Sequence, residues 1–326
     1  MGKIKNRRII LEQLDIAIEL GDIIRTCYNV EKVNRWANED IKHLVEISEK
    51  IVDDQIEKAV DQIINGKYKF VFLAGPSSSG KTTTTNIISK KLKLRGVNSL
   101  VVSLDDFFID LDKAPRLPDG TVDKESITKI DTKCFNEFFV NIMKNNKADL
   151  PEFDFATDRR KEEYRKVEIS DSDVILLEGT HALNPSLVKS NKFDNKVLKI
   201  FICVNSEFRL GSSIVITPRK LRLTRRLIRD LQTRGQSVDD TLTQWGNVCK
   251  GEDIYITPYK DLADLFIDTT HIYEPLVYDK ILPKLLKSRT QSNEYADELL
   301  GICGVCGSLS KIHVPKSSLL WEFLVK

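Results

Sequence analysis

Residues Gly75-Pro76-Ser77-Ser78-Ser79-Gly80-Lys81-Thr82 fit the pattern G-x-x-x-x-G-K-[ST] in full. An apolar run, Lys69 to Ala74, leads into them, and a helical pattern starts at Lys81. Strand, glycine-bounded loop and helix in that order form a cradle for phosphate: the glycines let backbone N–H groups curl around the oxygens, and the helix N-terminus adds its partial positive charge. Lys81 is placed to reach the β- and γ-phosphates of a nucleotide, and the Thr82 hydroxyl to take a position on Mg²⁺. The expected cradle is Gly75, Ser77, Ser78, Ser79, Gly80, Lys81, Thr82 and Thr83, with ATP as donor, GTP as the alternative, and Mg²⁺ as the accompanying ion. A serine-rich turn that merely precedes a helix does not account for strand, loop and helix together.

The surrounding texture agrees. Segments 69–74, 99–104, 173–177, 197–204 and 263–268 are short and mostly apolar without alternation, as expected of strands covered on both faces of a parallel sheet. Helical patterns fall between them near 81–95, 131–146, 218–235 and 237–250. The expectation is an α/β domain of the P-loop NTPase type: a doubly wound parallel sheet with helices on both faces and an arginine-rich helical lid. Residues 1–66 read as an N-terminal helical arm, with Ile10, Leu14, Ala17, Ile18, Gly21 and Ile24 at helical spacing and a second amphipathic stretch from about Ile41 to Ile64. The expected division is an arm over 1–66, a P-loop domain over 67–290, and a helix and loop tail over 291–326 packed on that domain.

Two acids follow strands. Asp105 comes directly after 99–104, and Glu178 ends Val174-Ile175-Leu176-Leu177 in the manner of a Walker B acid. In open α/β sheets the carboxyl edge is where ligands bind. Two carboxylates and the Thr82 hydroxyl there supply the hard oxygen ligands Mg²⁺ prefers, and one acid can accept the proton of an attacking alcohol. Arg222, Arg225, Arg226 and Arg229 recur at i, i+3, i+4 and i+7, so they share a helix face; Arg234 and Gly235 follow. Such a row is either a solvated face or a guanidinium lid that stabilises charge on a transferring phosphoryl group.

Total charge excludes some classes. With 50 Lys+Arg against 48 Asp+Glu in 326 residues the net charge is +2, which gives no basis for a bulk-charge nucleic-acid partner. No apolar run approaches the roughly 20 residues of a bilayer-spanning helix. The basic start, Lys3 to Arg8, is soon interrupted by Glu12, Asp15 and Glu19, unlike a signal peptide. The six cysteines are mostly isolated, which suits a reducing cytoplasm. Cys303-Gly-Val-Cys306 has only His313 nearby, short of the four ligands of structural zinc, and reads as a bend with incidental thiols. Trp36, Trp245 and Trp321 read as packing residues.

With these motifs in hand, the chain resembles the uridine kinase branch of the phosphoribulokinase/uridine kinase family over roughly residues 67–275. The resemblance rests on Gly75–Thr83, Ser103-Leu-Asp-Asp-Phe-Phe108, Pro151-Glu-Phe-Asp-Phe155 with Arg160, Leu177-Glu-Gly-Thr-His-Ala-Leu-Asn-Pro185, Arg222–Asp230 with Arg234-Gly235, and Tyr259–Asp264. It is similar in particular to bacterial uridine kinase-like proteins that carry tRNA-synthetase-like domains before the kinase, of which this chain retains the helical arm; residues 44–64 and Val314–Phe323 share in that likeness.

The resemblance implies a nucleoside kinase phosphorylating the 5′-hydroxyl of uridine or cytidine. Asp105 would be the base, Lys81, Arg222, Arg225 and Arg229 the groups acting on the phosphoryl, and Thr82, Asp105 and Glu178 the Mg²⁺ ligands. Asp123 would meet the ribose hydroxyls and Phe153 the pyrimidine, with Phe108, Arg160, His181 and Arg226 completing the acceptor site. At Asp158 the sequence departs: a histidine is expected there, and an ionised aspartate has no donor for a pyrimidine carbonyl. Other acceptors therefore stay open, among them thymidine, a purine nucleoside, pantothenate and a sugar phosphate, as does an ATP-binding regulatory module with vestigial chemistry. The expected partner is a small-molecule nucleoside, with no membrane or nucleic acid; a homo-oligomer is compatible with all of this.

Overall fold

The computed structural model describes residues 17–20, 25–116, 120, 122–123, 125–155, 157–188 and 191–324. In chain order these form β1 (Ala17–Leu20), β2 (Arg25–Asn29), α1 (Val30–Glu39), α2 (Ile41–Gly66), β3 (Phe70–Ala74), α3 (Lys81–Leu94), β4 (Ser99–Ser103) and α4 (Thr132–Asn145). There follow β5 (Lys147–Leu150), β6 (Phe153–Asp154), β7 (Arg159–Arg160), β8 (Arg165–Glu168), β9 (Val174–Glu178), β10 (Val197–Cys203), β11 (Glu207–Leu210) and β12 (Ser213–Ile216). The chain then runs through α5 (Pro218–Thr233), α6 (Val238–Tyr255), β13 (Leu265–Asp268), α7 (Glu274–Tyr278), α8 (Leu282–Leu286) and α9 (Glu294–Ile302).

The central sheet has five strands in the order β13-β10-β3-β9-β4, and every pairing is parallel. Alternate residues of β3 feed two cores. Val71 and Leu73 join Leu176, Ile200 and Ile202 under α2, α3 and α5, whereas Phe70, Phe72 and Ala74 join Ile175, Leu177 and the Phe135, Phe138, Phe139 and Ile142 face of α4. Both faces are covered, which is why these strands show no polar alternation. The expected doubly wound sheet is what forms, and it brings the carboxyl ends of β3, β4 and β9 together: Glu178 pairs in register with Leu73 on one side and Ser103 on the other.

The N-terminal segment differs from the helical expectation. Of the residues placed at helical spacing, Ala17 and Ile18 lie in β1, antiparallel to β2; Ile10, Leu14, Gly21 and Ile24 lie outside the described residues, as do Lys3 to Arg8, Glu12 and Asp15. β2 in turn pairs parallel with β11, and β11 antiparallel with β12, giving a second, four-stranded sheet in the order β1-β2-β11-β12. A strand's partner some 180 residues away wins over local periodicity here. The second stretch is helical as read: Asp40 caps α2 by accepting from His43 N, and Leu44, Ile51, Ile56, Val60 and Ile63 are buried. At the far end of the chain a 3-10 turn over Leu319–Phe323 buries Leu319, Leu320 and Phe323 against α3 and α5.

Candidate active site

The loop between β3 and α3 is shaped by close approach. A Cβ on Gly75 would lie 1.9 Å from the Ile202 carbonyl oxygen, so only glycine lets the loop leave β3 alongside β10. Gly80 is left-handed, with φ 81°, and turns the chain into α3. The Ser78 and Ser79 hydroxyls are buried with no partner among the described residues, as is expected of groups that face a phosphate. Lys81 Nζ donates to the Pro76 carbonyl at 3.1 Å, across the loop it closes, and burial holds its ammonium pKa below the usual lysine value.

Thr82 Oγ1 and Glu178 Oε1 are 3.2 Å apart. Burial pushes Glu178 up to about 7; the Asp105 carboxylate adds to the rise, and Lys81 opposes it. Hard oxygen donors held under mutual repulsion beside a lysine are a donor set suited to Mg²⁺, and Thr82, Glu178 and Asp105 are the residues that would hold it. Asp105 is the second residue of the 3-10 turn Leu104–Phe107, where its N–H donates to Ser103 Oγ. Its charge acts on Lys81, Glu178, Glu125 and Arg234, so it lies among these groups.

The arginine helix divides into two roles. Arg226 Nη1 donates to Ser77 Oγ at 2.9 Å and Arg222 Nη1 to the Ser77 carbonyl at 3.1 Å, bolting α5 onto the phosphate loop. Arg222 also pairs with Glu252 at 2.6 Å. Arg229 binds Asp230 through Nε and Nη2, at 3.0 and 2.8 Å, and its charge reaches Lys81. Asp230, fully buried, draws Arg226 and Arg234 as well and so gathers three guanidinium groups towards one point. The expectation for Arg225 is corrected: it is fully buried, paired with Glu274 Oε1 and Oε2 at 2.5 and 2.7 Å and with the Thr269 carbonyl at 2.9 Å. Helical spacing put it with the others, but its partner acid lies inward, so it holds α5 against α7 and reaches the Ser78 carbonyl at 3.5 Å from behind the loop.

On the acceptor side Phe108, Phe153 and Phe155 form an edge-to-face trio, with centroids 5.1 to 6.5 Å apart. Phe153 is buried, Phe155 exposed, and Lys129 Nζ sits 4.1 Å over the Phe108 ring. Arg160 does not stand open to a ligand as expected: it donates to the Phe107 and Phe108 carbonyls and to Asp131, so it latches the β6–β7 hairpin to the turn carrying Asp105. Asp158 lies exposed in that hairpin's turn at φ 54°, with its carbonyl accepting from Leu111 N. A left-handed turn position tolerates aspartate well, which gives this residue a backbone reason to be there.

Asp123 is likewise committed: Oδ1 caps Glu125 N and Ser126 N at 3.1 Å each, while Thr121 and Lys124 beside it lie outside the described residues. The turn presents Glu125, a residue the sequence reading passed over. Burial pushes its carboxyl up, while Lys129 and Arg226 pull it down and Asp123 and Asp105 oppose them. Its side chain packs on Gly251 of α6, where an added Cβ would come within 2.3 Å of Glu125 Cβ. In sequence it is marked only as an acid two positions after Asp123. His181 is buried with Nδ1 lacking a partner among the described residues and its ring edge-on to Tyr255; burial, with Lys129 and Lys81, holds it down at about 3, so it is neutral.

The profile of the Phosphoribulokinase / Uridine kinase family matches residues 70–273, more than half of the chain. The protein belongs to that family. It is similar to the uridine kinase of Ureaplasma parvum serovar 3, 28% identical over 198 residues that cover 60% of this chain and 86% of the relative. The uridine kinase of Staphylococcus aureus strain JH9 is 31% identical over 202 residues, 60% of this chain and 84% of that one. Among solved structures, one described as a possible uridine kinase from Bacillus stearothermophilus aligns with a TM-score of 0.45 at 20% identity, over 66% of this chain and 98% of that one. As a family member with this loop, the chain is a phosphotransferase acting on an alcohol acceptor. Among the described residues no helix is long and apolar enough to cross a membrane.

Proposed function

We propose that the protein transfers the γ-phosphoryl group of ATP to the 5′-hydroxyl of a nucleoside, with uridine and cytidine as the preferred acceptors. The observation that carries this reading is the convergence, at the ends of three adjacent strands, of the phosphate loop, the Thr82–Glu178 pair and Asp105, beside the Phe108–Phe153–Phe155 cluster. An aromatic platform suits a planar base, and carboxylates such as Glu125 suit sugar hydroxyls. The relatives named as uridine kinases support the same acceptor class. All six thiols are free, which suits a reducing cytoplasm.

The roles follow from position. Asp105 accepts the proton of the 5′-hydroxyl and orients its oxygen for attack. Lys81 and Arg229 meet the negative charge that spreads over the transferring group, with Asp230 keeping Arg229 aimed. Thr82, Glu178 and Asp105 would hold Mg²⁺, which when bound supplies positive charge against the donor phosphates. Arg222 and Arg226 keep Ser77 and the loop in shape. His181, being neutral, serves as a hydrogen-bonding group rather than as a cation.

The test is acceptor-dependent ADP release across uridine, cytidine, thymidine, a purine nucleoside, pantothenate and a sugar phosphate. The reading expects pyrimidine ribonucleosides to give the highest kcat/KM. Release driven by a non-nucleoside alcohol, or none with any acceptor despite ATP binding, contradicts it.

A further inference from the structure

We propose that Glu322, on the C-terminal turn, is a donor-site residue whose charge weakens the hold of the phosphate loop on its nucleotide. Thr83 Oγ1 donates to Glu322 Oε2 at 2.5 Å. Thr83 is the third residue of α3, and the first backbone bond of that helix runs from Thr84 N to the Gly80 carbonyl. The N–H groups of Lys81, Thr82 and Thr83 thus point out of the helix at its positive end, where a phosphate seats. The protein's own carboxylate already stands on this rim. Its charge reaches Lys81, Glu178 and Arg234.

Glu322 cannot leave with its backbone. Leu319, Leu320, Phe323 and Leu324 are buried on either side of it. Leu319 Cδ1 lies 3.3 Å from where a Gly80 Cβ would be, the Phe323 ring lies 5.0 Å from the Arg225 guanidinium, and Trp321 Nε1 donates to the Pro315 carbonyl at 2.8 Å. Arg225, displaced from the catalytic role, is thereby also an anchor for this turn. A nucleotide phosphate and Glu322 are two anions that seek the same Thr83 hydroxyl. The side chain can rotate away, but its charge stays within the site, and like charges a few ångströms apart repel even in a polar environment.

The inference rests on the loop being the donor site. The experiment is calorimetric titration of Mg-free ADP into the wild-type protein, Glu322→Gln and Glu322→Ala, with Lys81→Ala as a control for binding at the loop. Gln keeps an acceptor oxygen for Thr83 and removes only the charge. ADP affinity is expected to rise about three- to tenfold in Glu322→Gln, with Glu322→Ala changing in the same direction, and KM for the donor to fall in step while KM for the acceptor stays unchanged. Unchanged or weaker ADP affinity in both variants overturns the proposal. Absence of ADP binding by the wild-type protein overturns the donor-site reading itself.

Discussion

Arg225 and Arg229 stand four positions apart on one helix, yet their substitutions should fail in different ways. Removing Arg225 leaves the fully buried Glu274 without its cation, with the weak bond from His271 N at 3.4 Å beside it, so Arg225→Ala should lower the unfolding free energy by about 3–5 kcal/mol in urea titrations. Arg229→Ala leaves Asp230 still paired with Arg226 and Arg234. It should cost stability far less, and appear as a loss in kcat with nucleotide binding retained. Equal destabilisation by the two would refute this division. A run of arginines at helical spacing shows a shared face, but only the partner acids, Glu274 and Asp230, reveal which member braces α7 and which are gathered beside the phosphate loop. The same limit applies to Asp123 and Glu125: which of two neighbouring acids caps a turn and which faces the site depends on Gly251, more than 120 residues further on.

Glu178 offers a residue-scale test in pH. Its folded value is raised to about 7, above the ordinary glutamate range. A raised acid favours folding in its protonated form, so the nucleotide-free protein keeps this contribution below about pH 4.3 and loses it as pH rises through 7. Glu178→Gln should flatten that part of the stability profile between pH 5 and 8 in chemical denaturation. A profile identical to wild type would show that Glu178 titrates normally.

At the scale of elements, α6 positions the acceptor site by coming unusually close to it. Gly251→Ala places a methyl group against Glu125 Cβ. Overpacking of this kind costs about 1–3 kcal/mol, and the displaced Glu125 should raise KM for the acceptor more than KM for ATP. A parallel change in both would show that Glu125 plays no part in acceptor binding. The five strands of the parallel sheet were legible because each is a short apolar run covered on both sides, and α3, α4, α5 and α6 because helical patterns of 14 to 18 residues fill the stretches between those runs. The second sheet was not. β11 and β12 are four residues each, with charged or polar residues among them, and β2 becomes a strand through its pairing with β11. Local pattern carries no trace of a partner so distant.

At the scale of the whole molecule, segments distant in sequence brace the sheet and its loop. α2 supplies Gln55 to Asp268 at the end of β13 and Glu49 to Tyr273, while the C-terminal turn places Glu322 on the phosphate loop. Near-balance of charge across 326 residues conceals this local sorting, with arginines on one helix and carboxylates at the ends of β4 and β9. The central claim is that this arrangement moves a phosphoryl group to a nucleoside with Asp105 as the base. Its most direct test follows γ-labelled ATP in a single turnover with uridine, in wild-type protein and Asp105→Asn, with ATP affinity measured alongside. The account predicts label on uridine 5′-monophosphate from the wild type, and a rate lowered about 10²- to 10⁴-fold in Asp105→Asn at unchanged ATP affinity. Transfer at the wild-type rate by Asp105→Asn, or no labelled nucleotide product from the wild type, would contradict it.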